Sequence, residues 1–193
     1  MKIPTKDELA LIDGRISKEE GEYLMSLASQ VPLGGLITEI GSYRGKSTCY
    51  LATGLLLSNN TSAKVQAIDL WTLGGTHSIR YGTAETWLLF NQNIKLMELS
   101  NIVTPYISDS VKAASRHRRN IDLLFIDGCH NYKFVKADWI AWRKFVKPGS
   151  IIAFHDYDRK FPGVVRVVEE IVVPMLKLVD INKTGRLWSA RIV

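Results

Sequence analysis

The chain has 193 residues, of which 46% are hydrophobic and 23% charged, with a formal net charge of +6. A globular chain of this length buries roughly 70% of the surface its unfolded form exposes, so it needs neither disulfides nor a structural metal to fold. Its two cysteines, Cys49 and Cys129, match neither a secreted disulfide framework nor a zinc cluster and read as free thiols.

The N-terminus is charged and lacks the apolar centre of a signal peptide. No later run approaches the ~20 apolar residues of a membrane span, so the expectation is a cytoplasmic protein without membrane contact. The positive balance suits nucleic acid, an anionic substrate or solubility alone. Its densest basic run, Arg116 to Arg119, falls where a helix should end. Cations there meet the helix dipole favourably, so the run reads as a solvated cap rather than an RNA contact.

Ser17, followed three residues on by Glu20, forms a capping box, and Tyr23, Leu24, Leu27, Ala28 and Val31 recur at helical spacing. Pro32, Gly34 and Gly35 stop that helix. The apolar run 36–40 reads as a buried strand, 46–57 as a helix and 64–69 as a second strand. From Leu70 to Gly82 the chain matches neither period and is long for a plain connection, which makes it a candidate lid. A helix over 83–99, a strand over 102–108, a short helix toward Arg119 and a strand over 121–127 follow, the last apolar enough to be covered on both faces. Next come a helix over 131–146, the breaker pair Pro148 and Gly149, a strand over 150–157, and a helix over about 164–176 that contains Pro174. The ending differs, because two strand-like runs around Asn182 to Gly185 signal a hairpin, and the last strand should run antiparallel. This alternation predicts an α/β fold: a doubly wound, mostly parallel, Rossmann-like sheet with helices on both faces, whose ligands bind at the carboxyl ends of the strands.

The turn from Gly41 to Ser47 looks like a nucleoside triphosphate loop but is one residue short of G-x-x-x-x-G-K-[ST]. Loop length decides which backbone N–H groups converge on a phosphate. Glu39 would also set a carboxylate beside the phosphates. Read as E-x-G-x-x-x-G, the same turn lets backbone approach a ligand closely at Gly41 and Gly45, while the acid suits a cation. S-adenosylmethionine carries both an ammonium and a sulfonium. Asp69, ending the second strand, is placed to accept hydrogen bonds from ribose hydroxyls. The plain alternatives are an ordinary strand-to-helix turn and a strand-end turn residue. A P-loop-like nucleotide triphosphatase gripping ATP through Lys46 is a further one.

From Leu36 onward the chain resembles the class I S-adenosylmethionine-dependent methyltransferases, whose seven-stranded sheet ends in an antiparallel strand. The spellings I-D-G-x-H-x-Y at 126–132 and K-P-G-x-I-I-x-x-H-D-Y at 147–157 are similar to the subgroup of macrocin O-methyltransferase and the cephalosporin hydroxylase relatives. Catechol O-methyltransferase is more distant. The resemblance implies an N-terminal helical segment over 1–35 and a methyltransferase domain over 36–193, packed as one compact unit. It implies that Glu39, Gly41, Ser42, Tyr43 and Gly45 line the methionine part of the cofactor. Asp69 would hold the ribose, Leu70 and Trp71 would lie near the adenosine, and Ser108, Asp109 and Ser110 would contact adenine, with Asp127 bordering the cofactor. Ser108 stands where relatives often carry Gly.

Asp127 closes one strand and His155 with Asp156 closes the next, and adjacent strands lie ~4.8 Å apart, so the three can converge on one ion or one substrate oxygen. Oxygen ligands with an imidazole suit Mg²⁺ or Mn²⁺. In the catechol enzymes the equivalent positions bind Mg²⁺, with a carboxylate where His155 stands. His130 falls where those enzymes place a catalytic lysine. A neutral imidazole takes a proton from a hydroxyl whose pKa a metal has lowered. Each residue also has a plain reading as a turn or cap, His130 beside the cap candidate Asn131. Trp139, Trp142 and Phe145 read as helix core packing, whereas Trp71, Tyr81 and Trp87 flank the irregular segment and are candidates for the substrate pocket.

The expectation is therefore metal-assisted O-methylation of a small hydroxylated molecule, with Asp127 and His130 catalytic and Asp127, His155 and Asp156 as metal ligands. A nucleic-acid methyltransferase stays open on charge, although the chain has no N-P-P-Y type motif. A non-catalytic adenosine-ligand binding protein is the alternative from another class. The N-terminal helix is a candidate cover for a pocket or for a second copy in a homo-oligomer.

Overall fold

The computed structural model describes residues 2–71 and 83–193. Two short helices open it, α1 (Lys6–Leu11) and α2 (Lys18–Ala28), and both start at complete capping boxes, Thr5 with Glu8 and Ser17 with Glu20. Strands and helices then alternate: β1 (Leu36–Ile40), α3 (Lys46–Leu57), β2 (Lys64–Asp69), α4 (Ala84–Leu96), β3 (Val103–Ile107), α5 (Ser110–Arg116), β4 (Ile121–Ile126), α6 (Tyr132–Trp142), β5 (Val146–Phe154) and α7 (Pro162–Val167). The last helix runs on through a π turn (Val168–Val172) into α8 (Val173–Met175), and the hairpin β6 (Leu178–Thr184) and β7 (Leu187–Ile192) closes the chain.

Among the described residues the sheet has seven strands in the order β3-β2-β1-β4-β5-β7-β6. The pairs from β3 to β5 are parallel, and β7 is antiparallel to both neighbours. This is the doubly wound α/β sheet that the alternation predicts. Side chains alternate across it, so Ile37, Val65, Leu123 and Phe125 join one core with α2 and α3, whereas Ile40, Leu124, Ile152 and Phe154 join another with Trp139, Trp142 and Val167. Trp139 and Trp142 are fully buried, as their reading as core requires.

Three details depart from the sequence reading. Pro148 and Gly149 do not precede β5 but sit inside it as a bulge, where the register jumps from Ile121 opposite Val146 to Leu123 opposite Ile151. The bulge absorbs the missing N–H of Pro148 and the φ of 90° at Gly149. Pro174 has no N–H for the carbonyl one turn back, and the helix widens into its π turn just before it. The hairpin turns at Gly185 and Arg186, slightly later than expected, because Gly185 supplies the φ of 58° that the reversal needs.

The N-terminal helices pack onto the sheet's helical layer. A Cβ on Gly54 would lie 2.3 Å from the Met25 carbonyl, so α2 and α3 touch through backbone. Tyr23 Oη bonds Ser189 Oγ of β7 at 2.8 Å. Arg118 caps the end of α5 by donating to the carbonyls of Ser115 and His117, whereas Arg119 donates to that of Gly34 in the loop before β1. Among the described residues no helix is long and apolar enough to cross a membrane.

Candidate active site

Five parallel strands end at one edge, and past four of them the next residue donates its N–H to the neighbouring strand: Gly41 to Ile68, Ser108 to Asp69, Asp127 to Ile40 and His155 to Ile126. At Gly41 the β1 and β4 ends cross so closely that a Cβ would lie 2.3 Å from the Asp127 carbonyl oxygen, and φ is 89°. Only glycine fits there. Gly45, with a φ of 83°, is the N-cap of α3, which receives no side-chain cap bond.

Glu39 points under α3 and is wholly buried, with Oε2 accepting from the Thr48 hydroxyl. Its other oxygen, Oε1, and the buried Ser42 Oγ have no hydrogen-bond partner. Burial pushes the Glu39 carboxyl up to about 7, against the opposing hydroxyls of Ser47 and Thr48. Both Asp69 oxygens already serve the backbone, Oδ2 accepting from Tyr43 N–H at 2.8 Å and Oδ1 from Trp71 N–H at 3.2 Å. Asp69 thus ties the loop after β1 to the turn after β2. Tyr43, at φ 47°, accepts from the indole N–H of Trp71 at 2.7 Å through its carbonyl. Trp71 is fully buried against Phe90 and Trp87, whereas Leu70 is exposed.

The stretch after β3 is used by the fold as well. Asp109 is the N-cap of α5 and accepts from Lys112 N–H, Ser110 Oγ accepts from the Trp142 indole at 2.9 Å, and Ser108 Oγ donates to the Asp109 carbonyl. Tyr81 and the 72–82 portion of the candidate lid from Leu70 to Gly82 lie outside the described residues.

Past β4 and β5 the ionisable side chains gather. His130 Nε2 is 2.7 Å from Asp156 Oδ2, and its ring meets Phe161 edge-on at 4.6 Å. Asp156 also accepts from the Arg186 guanidinium. His155 is buried, with Nδ1 at 3.1 Å from Asp127 Oδ1 and Nε2 at 3.3 Å from Glu20 Oε2. Burial works against charge on His155, yet Asp127, Asp156 and Glu20 push it up to about 12. Burial likewise opposes ionisation of Asp156, but His130 and His155 hold that carboxyl well below the usual carboxylate range.

His155, expected as a metal ligand, has both ring nitrogens turned toward carboxylates, Nδ1 toward Asp127 and Nε2 toward Glu20. The group whose ligand atoms lie within 4.8 Å of one another is Asp127, His130 and Asp156. Sequence reasoning also missed Glu20 and Arg186 at this edge. The capping box explains Glu20 completely by local contacts, and Arg186 lies in a turn, so neither carried a signal.

The residues fit the two groups that the sequence suggests. An orphaned carboxylate oxygen and hydroxyl at Glu39 and Ser42 suit an ammonium, and two carboxylates with an imidazole suit a divalent ion. The profile of the methyltransferase domain family matches residues 38–157. An O-methyltransferase from Bacillus cereus, solved in complex with SAH, superposes with a TM-score of 0.71 at 19% identity, covering 98% of this chain and 92% of that one. The O-methyltransferase TomG from Streptomyces achromogenes, involved in tomaymycin synthesis and solved with SAM, gives 0.69 at 15% identity over 97% and 85%. Protein R132 of Acanthamoeba polyphaga mimivirus is 31% identical over 143 residues, 69% of this chain and 58% of that protein. Protein y4gI of Sinorhizobium fredii is 26% identical over 128 residues, 66% of this chain, which spans only 14% of it. The chain therefore spans less than two thirds of either relative.

Proposed function

The chain belongs to the methyltransferase domain family, and from that premise we propose that it methylates an oxygen of a small hydroxylated molecule with S-adenosylmethionine as donor. The observation that carries the oxygen chemistry is the His130–Asp156 contact of 2.7 Å at the strand edge. The donor supplies an electrophilic methyl group on a sulfonium. Glu39 and Ser42 would meet its ammonium, the turn from Gly41 to Gly45 its methionine chain, Asp69 its ribose, and Leu70, Trp71 and 108–110 its adenosine.

His130 donates through Nε2–H to Asp156, which leaves Nδ1 to take the proton of the acceptor hydroxyl. Asp156 stabilises the imidazolium that forms, and the ring, with 37% of its side chain exposed, returns the proton to solvent. Asp127 and Asp156 would hold a divalent ion, which lowers the pKa of a bound hydroxyl. A second reading comes from the 4.8 Å cluster, in which His130 is itself a ligand and the acceptor proton leaves directly to water.

Titration calorimetry with S-adenosylmethionine and its demethylated product, followed by transfer of a labelled methyl group to a panel of phenols, catechols and sugars, tests the proposal. Expected are cofactor binding, label on one hydroxyl class, and loss of transfer in His130→Ala and Asp127→Asn. Absence of cofactor binding overturns it, and binding with no transfer to any acceptor favours a non-catalytic binder.

A further inference from the structure

We infer that Glu20, on the N-terminal helix α2, is a positioning residue for the catalytic edge, acting through His155 on Asp127 and Asp156. This rests on the methyl-transfer reading of that edge. In an ordinary capping box the N3 glutamate serves the cap N–H alone. Here Glu20 Oε2 accepts from Ser17 N–H at 2.8 Å and also faces His155 Nε2 at 3.3 Å, while Oε1 accepts from Arg186 N–H at 2.6 Å. Its side chain is 3% exposed, and a Cβ on Gly185 would lie 2.5 Å from Oε1, so the hairpin turn is shaped to admit it.

The chain of contacts is continuous. Glu20 fixes the far nitrogen of a fully buried ring, whose near nitrogen lies 3.1 Å from Asp127 Oδ1 and 3.6 Å from Asp156 Oδ1. Asp156 in turn holds His130 at 2.7 Å. An imidazole anchored at one end only can rotate about its side-chain torsion, and then neither carboxylate keeps its place. Anchored at both ends it is a rigid spacer between the N-terminal helix and the strand ends. Arg186 reinforces the tie, bonding Asp156 and donating to the Arg15 carbonyl at 3.1 Å. Helix α2 thereby acts as part of the catalytic frame.

The full-length chain labelled with ¹⁵N-histidine tests this through the ring N–H signals of His155 and His130, alongside kcat and donor affinity. Ser17→Ala is the control, because it removes the same helix cap without touching His155. Glu20→Gln is expected to move or abolish the His155 Nε2–H signal, to shift the His130 ring signals, and to lower kcat at least tenfold with donor affinity within twofold. Ser17→Ala is expected to leave all of these within twofold or unshifted. Equal losses of kcat in the two variants, or His130 signals unmoved in Glu20→Gln, overturn the inference and make Glu20 a helix cap only. Should Glu20→Gln not fold, Glu20→Asp keeps the charge but draws it back from the ring, and unmoved His155 and His130 signals there overturn it equally. A wild type without methyl transfer sinks the proposed activity alone, since the ring signals decide the positioning role without turnover.

Discussion

Asp156 Oδ2 lies 2.7 Å from His130 Nε2, and the residue that makes this contact holds a left-handed backbone with φ 57°. Aspartate and asparagine tolerate that conformation better than most side chains. Asp156→Asn therefore keeps the turn while removing the charge that stabilises an imidazolium on His130. The expected outcome is a fall in kcat of about 10²-fold or more, the range of general-base contributions. Donor affinity by calorimetry should stay within about twofold. An unchanged kcat would separate His130 from the proton transfer.

Glu39 carries a stability penalty that a cationic ligand would relieve. Its folded pKa, pushed up to about 7 by burial, stands above the ordinary 4.5, so its contribution to stability is fully present below 4.5 and is lost as pH rises through 7. The difference amounts to about 3 kcal/mol at alkaline pH. Two outcomes follow for Glu39→Gln: the ligand-free protein gains stability at pH 8 in urea melts, and donor affinity falls. In the wild type, donor affinity should rise between pH 6 and pH 8 as the carboxylate ionises, a dependence that Glu39→Gln abolishes. An affinity flat with pH in both proteins would mean that the donor ammonium lies elsewhere.

Gly41 and Gly128 sit near one another and should respond to alanine to very different degrees. At Gly41 the added Cβ lies 2.3 Å from the Asp127 carbonyl oxygen with φ at 89°, whereas at Gly128 the nearest heavy atoms are 3.6 Å away. Overpacking and backbone strain together should destabilise Gly41→Ala by about 2 to 4 kcal/mol. Gly128→Ala should stay within about 1 kcal/mol, in the range of an accommodated substitution. Urea midpoints measure both.

The fold was legible because its central strands β1 and β4 are apolar on both faces and its helices keep a 3.6-residue period, signals that survive whatever the neighbours do. Pro148 and Gly149 misled because a breaker pair marks a turn and a bulge alike, and only the register against β4 tells them apart. The edge itself was legible too: parallel strands end together, so Gly41, Asp69, Asp127 and His155 had to share it. Side-chain direction was not. Nothing local says that His155 turns inward to Asp127 while His130, on the turn after β4, reaches Asp156. Glu20 is the sharpest case, since its local role in the capping box hides a contact to His155, 135 residues further along.

A divalent ion gives the last test, since the two readings of His130 differ in what its removal does. Mn²⁺ titrated into the protein and followed by electron paramagnetic resonance should bind, and Asp127→Asn should weaken it at least tenfold by taking away a ligand charge. If His130 works as the base, His130→Ala lowers kcat but leaves Mn²⁺ affinity within about threefold. A drop of tenfold or more, in line with losing a ligand from a three-residue set, assigns His130 to the ion instead. His155→Gln supplies the control. Both ring nitrogens of His155 already face carboxylates, so a loss of Mn²⁺ there is expected to reflect displaced carboxylates and to be accompanied by movement of the His130 ring signals.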